Sequence, residues 1–137
     1  MQLHASCAAR DGRGVLLIGP PGSGKSDLLL RLLDYGFVLV ADDRVELDGL
    51  EARPAAALEG LLEIRGLGIV RLPFQAPVPL ALAIALGRAE RLPRPARHEL
   101  GLPLVTIDPA LASAPQRVGL ALDCVLGRAA LVAGALA

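Results

Sequence analysis

Apolar runs in this chain are short and end at glycine, proline or charged residues, which is the pattern of strands and turns rather than of long helices. Residues 2–9 read as a first strand, followed by a turn at Asp11-Gly12-Arg13-Gly14. Residues 14–18 make a second strand, and 25–35 a helix closed by Gly36. Phe37 to Ala41 suits a short buried strand and ends at two consecutive carboxylates, Asp42-Asp43. Arg44 to Leu47 continues as another strand, with a hairpin turn at Asp48-Gly49. From Glu51 to Ala83 the chain is rich in Pro, Gly and β-formers, and only Ala55 to Leu58 hints at helical spacing. Leu80 to Leu86 and Leu102 to Ile107 read as strands, and Gly87 to Gly101, carrying four Arg and His98, as an exposed basic loop. Gln116 to Ala130 has apolar residues at 118, 122, 125, 126 and 129, which suits a helix packed on a sheet.

Strands outnumber good helices in this reading. A doubly wound fold alternates strands with helices of roughly 10–15 residues, whereas here one strong helix precedes the carboxyl-terminal region. The expected class is therefore α/β of the strand-rich, α+β kind. With no internal repeat and no linker, 137 residues make one domain, 1–137.

Composition narrows the partners. Fourteen basic residues balance fourteen acidic ones, and Tyr35, Phe37 and Phe74 are too few for base-stacking platforms, so no nucleic-acid partner is expected. No stretch approaches the ~18 apolar residues of a membrane span. The first residues show no basic region leading into an apolar core, so they do not read as a signal peptide. Cys7 and Cys124 are too far apart for a metal knuckle and read as reduced, buried thiols of a cytoplasmic protein.

Candidate chemistry centres on Gly19-Pro20-Pro21-Gly22-Ser23-Gly24-Lys25-Ser26, which fits G-x-x-x-x-G-K-[ST] between a strand and a helix. Glycines let successive backbone N–H groups turn toward an anion, and the helix N-terminus adds free donors and the positive end of its dipole. Lys25 supplies a mobile charge for phosphate oxygens and Ser26 a hydroxyl for Mg²⁺, so a nucleoside triphosphate or something close to it is the expected ligand. Asp42 and Asp43 lie 16 and 17 residues beyond Ser26, at the end of the next apolar strand. Neighbours on an extended chain face opposite ways. One carboxylate can then act as base or acid while the other binds metal or holds Lys25 or Arg44. In Leu62-Glu63-Ile64-Arg65-Gly66-Leu67-Gly68-Ile69, alternation places Glu63, Arg65 and Leu67 on one face, where Glu63 and Arg65 suit Mg²⁺ and a phosphoryl oxygen. An edge strand with an ion pair fits the same letters.

Three blocks together, the loop 19–26, Val40-Ala41-Asp42-Asp43-Arg44-Val45 and Leu62 to Ile69, make the chain resemble the catalytic domain of bacterial HPr kinase/phosphorylase. The resemblance runs over residues 1 to about 86 and implies a P-loop-containing, PEP-carboxykinase-like fold in a short form without the family's additional N-terminal domain. It implies a serine protein kinase using ATP and Mg²⁺ on HPr or a related phosphocarrier protein, with dephosphorylation by phosphorolysis as a second activity. Gly19, Pro20, Pro21, Gly22, Ser23, Gly24, Lys25 and Ser26 would then bind the nucleotide, and Ser26 and Glu63 the Mg²⁺. Asp43 would be the proton acceptor in phosphorylation and the donor in the reverse reaction, supported by Asp42. His4 matches the family's active-site histidine ahead of the loop, and Arg91, in Glu90-Arg91-Leu92-Pro93, is the counterpart of a later catalytic arginine. The resemblance also implies a homo-oligomer, a hexamer. Two other readings stay open: a small-metabolite kinase with the Arg88 to Arg97 loop as a lid, and a nucleotide sensor without catalysis.

Overall fold

The computed structural model describes residues 1–136. In chain order its strands are β1 (Gln2–Leu3), β2 (Ser6–Arg10), β3 (Arg13–Ile18), β4 (Val38–Ala41), β5 (Val45–Asp48), β6 (Glu51–Pro54), β7 (Leu61–Ile64), β8 (Gly68–Arg71), β9 (Val78–Leu86), β10 (Ala96–Arg97) and β11 (Pro103–Ile107). Its helices are α1 (Lys25–Leu32) and α2 (Ala114–Val125). The architecture is strand-rich α/β, as the spacing of apolar runs predicts.

The main sheet runs β1-β5-β6-β9-β3-β2-β4, with β11 added to β9 and β10 to β11; β7 and β8 form a hairpin of their own. Most neighbours are antiparallel, but β9 runs parallel to both β3 and β11. Ile18 stands opposite Ala85, and Leu86 opposite Ile107, so these three strands end along one edge. That edge carries the loop into α1, the position where open α/β sheets place ligands.

Both faces of the sheet are covered, which explains why β3 is apolar at every inner position. Val15 and Leu17 face one core with Leu28, Leu29 and Leu32 of α1 and Val118 and Leu122 of α2. Leu16 faces the other, with Cys7, Ala9, Val40, Val45, Leu47 and Leu80. Both helices therefore lie on one side, and β5 and β6 help close the other. Complete burial pushes the Cys7 thiol up to about 12. Cys124, expected to be buried, is instead half-exposed on α2.

The local differences from the sequence reading have identifiable causes. The stretch 2–9 breaks at His4-Ala5, because β1 pairs with β5 while β2 pairs with β3 and β4. The turn behind it is tighter than expected: Asp11 and Gly12 both take positive φ, 52° and 73°, as a two-residue hairpin loop requires, so Arg13 and Gly14 already belong to β3. The first helix runs as α to Leu32 and tightens to a 3₁₀ turn over Leu33–Tyr35 before Gly36 closes it at φ 83°. The last helix stops at Val125 rather than Ala130: Arg128 N–H bonds the Asp123 carbonyl and Gly127 N–H that of Cys124, a terminating pattern that needs the positive φ of Gly127.

The largest departure is at Leu62 to Ile69. It is a hairpin, not one strand, so Glu63 lies on β7 while Arg65 sits in the turn with Gly66 at φ 86°. Leu67 N–H bonds the Ile64 carbonyl across that turn, and no ion pair links Glu63 to Arg65 among the described residues. At the hairpin's base Leu72 N–H bonds the Gly60 carbonyl at 2.7 Å. Gly60 is buried at φ 75°, and a Cβ there would stand 2.8 Å from the Leu72 carbonyl oxygen.

Candidate active site

The loop from Gly19 to Gly24 leaves β3 and curls into α1, whose first residue is Lys25. Its curl is tight: a Cβ on Gly19 would fall 2.5 Å from Ser23 Oγ, and Gly22 and Gly24 sit at φ 79° and 100°. Ser23 N–H closes the turn on the Pro20 carbonyl at 3.1 Å. The Ser23 hydroxyl is buried without a partner among the described residues, and Lys25 Nζ donates to the carbonyls of Gly19 (2.6 Å) and Pro20 (3.1 Å). An orphaned hydroxyl, an ammonium folded onto its own loop and the free N–H groups at the start of α1 together make a cradle whose unmet donors fit a phosphate chain.

Behind this cradle, Ser26 Oγ donates to Asp42 Oδ1 at 2.7 Å. The same carboxylate oxygen accepts from Ser6 Oγ on β2 at 2.9 Å. Antiparallel pairing of Cys7 with Ala41 brings Ser6 opposite Asp42, which closes the triangle. Asp43, next in the chain, takes φ 65°, and its exposed side chain lines a cleft of about 510 Å³. The two carboxylates thus diverge because of a left-handed residue, not because of strand alternation. Asp42 turns to Ser26, and Asp43 to the open space.

The cleft lies between the loop and the start of α1 on one side and the β7–β8 hairpin on the other. Lys25, Ser26 and Asp43 meet Glu63, Ile64 and Arg65 across it. Leu62, fully buried against the core that holds α1, anchors the hairpin there. Asp27 and Leu30 of α1 also line the space, and neither was singled out in the sequence. Among the described residues no group of three His, Cys, Asp or Glu forms a metal cage. Mg²⁺ is ordinarily held by one or two carboxylates plus phosphate oxygens and water. Ser26 and Glu63, hard oxygen donors that line one cleft, fit that chemistry, with Asp42 holding the Ser26 hydroxyl from behind.

Two expected site residues lie elsewhere. His4 is exposed at the bend between β1 and β2, and Arg91 is exposed in the loop after β9; neither lines the cleft. That loop nevertheless leaves β9 beside the cradle, since a Cβ on Gly19 would touch Leu86 Cβ at 3.5 Å. Beyond β11, Pro109 lies 3.7 Å from where a Gly24 Cβ would be, and Arg31 of α1 holds the Pro109 carbonyl at 2.6 Å. Ser6 was missed because its role appears only when β2 and β4 are paired.

Fold and site define a strand-rich α/β domain with a glycine-rich loop between strand and helix, and a carboxylate pair beside it. Residues 1–74 match the family of HPr Serine kinase C-terminal domains, and the chain belongs to that family. It also matches the solved structure of the Hpr(Ser) kinase/phosphatase from Coxiella burnetii, with a TM-score of 0.76 and 26% identity over 93% of this chain and 92% of that one. The fold is therefore that of the HPr kinase catalytic domain, and the likeness extends past residue 86 into the carboxyl-terminal third. Membership supports a kinase enzyme. No helix among the described residues is long and apolar enough to cross a membrane.

Proposed function

We propose that this protein is an ATP- and Mg²⁺-dependent serine kinase acting on HPr or a related phosphocarrier protein, with phosphorolysis as its reverse activity. The observation that carries this reading is the single cleft in which Lys25, Ser26 and Asp43 face Glu63 and Arg65. The loop from Gly19 to Ser26 binds the nucleotide, and Lys25 exchanges its two carbonyl partners for phosphate oxygens. Ser26 and Glu63 would hold Mg²⁺, which when bound neutralises phosphate charge, while Asp42 holds the Ser26 hydroxyl. Asp43 is exposed to the cleft and takes the proton of the attacking serine hydroxyl as its oxygen bonds to phosphorus and the bond to ADP breaks. In reverse, inorganic phosphate attacks the phosphoserine phosphorus, the bond to the serine oxygen breaks as pyrophosphate forms, and the protonated carboxyl returns its proton to that oxygen. Arg65 stands beside this chemistry and contributes charge to the transferring group. His4 and Arg91 would join only through a shift of the segments that carry them, or through a neighbouring copy in the homo-oligomer. Residues 1–137 act as one catalytic domain in the cytoplasm.

Labelled ATP, Mg²⁺ and the HPr protein of the same organism, incubated with the protein and with Asp43→Asn, test this. Label on HPr that is lost in the variant supports the reading. Label on a small metabolite would replace it with a metabolite kinase, and nucleotide binding without transfer with a sensor.

A further inference from the structure

Ser6 is the buried polar side chain among the described core residues, with 0% exposure. A hydroxyl so placed needs partners, and it has one proton to give. Ser6 Oγ gives it to Asp42 Oδ1 at 2.9 Å and accepts the main-chain N–H of Asp43 at 3.4 Å. One hydroxyl therefore grips the side chain of one aspartate and the backbone of the next. Asp43 at φ 65° occupies a conformation that residues other than glycine seldom take, and a backbone anchor at its amide helps hold it there. Ser6 does not line the cleft and is closed to solvent, so it acts through its neighbours rather than on any substrate.

We infer that Ser6 is a positioning residue for phosphoryl transfer: it sets the divergence of the two carboxylates, keeping Asp42 on Ser26 and Asp43 directed into the cleft. This rests on the reading of Asp43 as the proton acceptor. A misplaced acceptor slows the chemical step while leaving the phosphate cradle, built from β3 and α1, as it was.

The test compares wild type, Ser6→Ala and Ser6→Thr in steady-state transfer from ATP to HPr, with amide hydrogen exchange on the nucleotide-free proteins. Ser6→Ala lowers kcat by about 10- to 100-fold while the KM for ATP stays within about twofold, and Ser6→Thr, which keeps the hydroxyl, recovers most of the rate. The Asp43 amide exchanges faster in Ser6→Ala and near the wild-type rate in Ser6→Thr. Wild-type kcat in Ser6→Ala, or a fall explained wholly by KM with no recovery in Ser6→Thr, overturns the inference. If wild type transfers nothing to HPr, the proposed function fails on its own, and the exchange result still decides: an unchanged Asp43 amide in Ser6→Ala shows that Ser6 does not hold it.

Discussion

Replacing Asp42 by alanine removes the acceptor shared by Ser6 and Ser26, and the two hydroxyls respond differently. Ser26 is half-exposed and turns to water, so its loss is the ~0.5–1.5 kcal/mol of an ordinary hydrogen bond. Ser6 is sealed, and its stranded donor costs about 1–3 kcal/mol. Together Asp42→Ala destabilises the nucleotide-free protein by about 2–4 kcal/mol. Ser6→Ala costs less, about 1 kcal/mol, because half-exposed Asp42 can recruit water in place of the lost donor. The double variant has no stranded hydroxyl at position 6, so its cost falls short of the sum of the singles by about 1 kcal/mol or more. Urea denaturation of the four proteins measures this cycle through midpoint and slope. Strict additivity, or an Asp42→Ala variant within about 0.5 kcal/mol of wild type, would refute the argument that Asp42 is the hub of the site.

Gly60→Ala places a side chain at φ 75° and 2.8 Å from the Leu72 carbonyl oxygen, so it lowers stability by about 2 kcal/mol or more in the same urea assay and loosens the hairpin that carries Glu63. Gly119→Ala drives a methyl to 2.8 Å from Arg10 Nη1, an arginine held by Asp123, the Gly119 carbonyl and the Phe37 ring; it costs about 1 kcal/mol and is relieved when Arg10→Ala is added. Cys7 makes the protein alkali-sensitive. Its thiol ionises near 9.0 when unfolded but only at about 12 when folded, so Cys7 takes nothing from stability below pH 9 and lowers it as pH climbs toward 12. Thermal unfolding between pH 8 and 11 shows a smaller decline in Cys7→Ala, and equal declines would contradict the burial argument. In native protein a thiol-specific reagent labels Cys124 and leaves Cys7 unmodified.

Local chemistry was legible where it is written in local letters. The glycine pattern of 19–24, the wholly apolar Val15 to Leu17 and the closing Gly36 each specify their own conformation, and all appear as read. The pair Asp42-Asp43 was recognisable, and the family resemblance gave each a role, but how the chain parts the two side chains was not legible. Alternation along a strand predicts opposite faces, whereas the structure divides them through one left-handed residue and a serine 36 positions away. The hairpin at 65–67 was hidden by an alternation that glycine breaks, although Gly66 and Gly68 were the available sign. Ser6 carried no sign at all: in sequence it is one small residue in an apolar strand.

The central claim is that this cleft moves a phosphoryl group from ATP to a protein serine with Asp43 as the proton acceptor. Tandem mass spectrometry of HPr after incubation with wild type, Lys25→Ala and Asp43→Asn in the presence of ATP and Mg²⁺ tests it most directly. One phosphoserine made by wild type and absent with both variants is the predicted result. A phosphoryl group on histidine, or undiminished phosphoserine with Asp43→Asn, would contradict it.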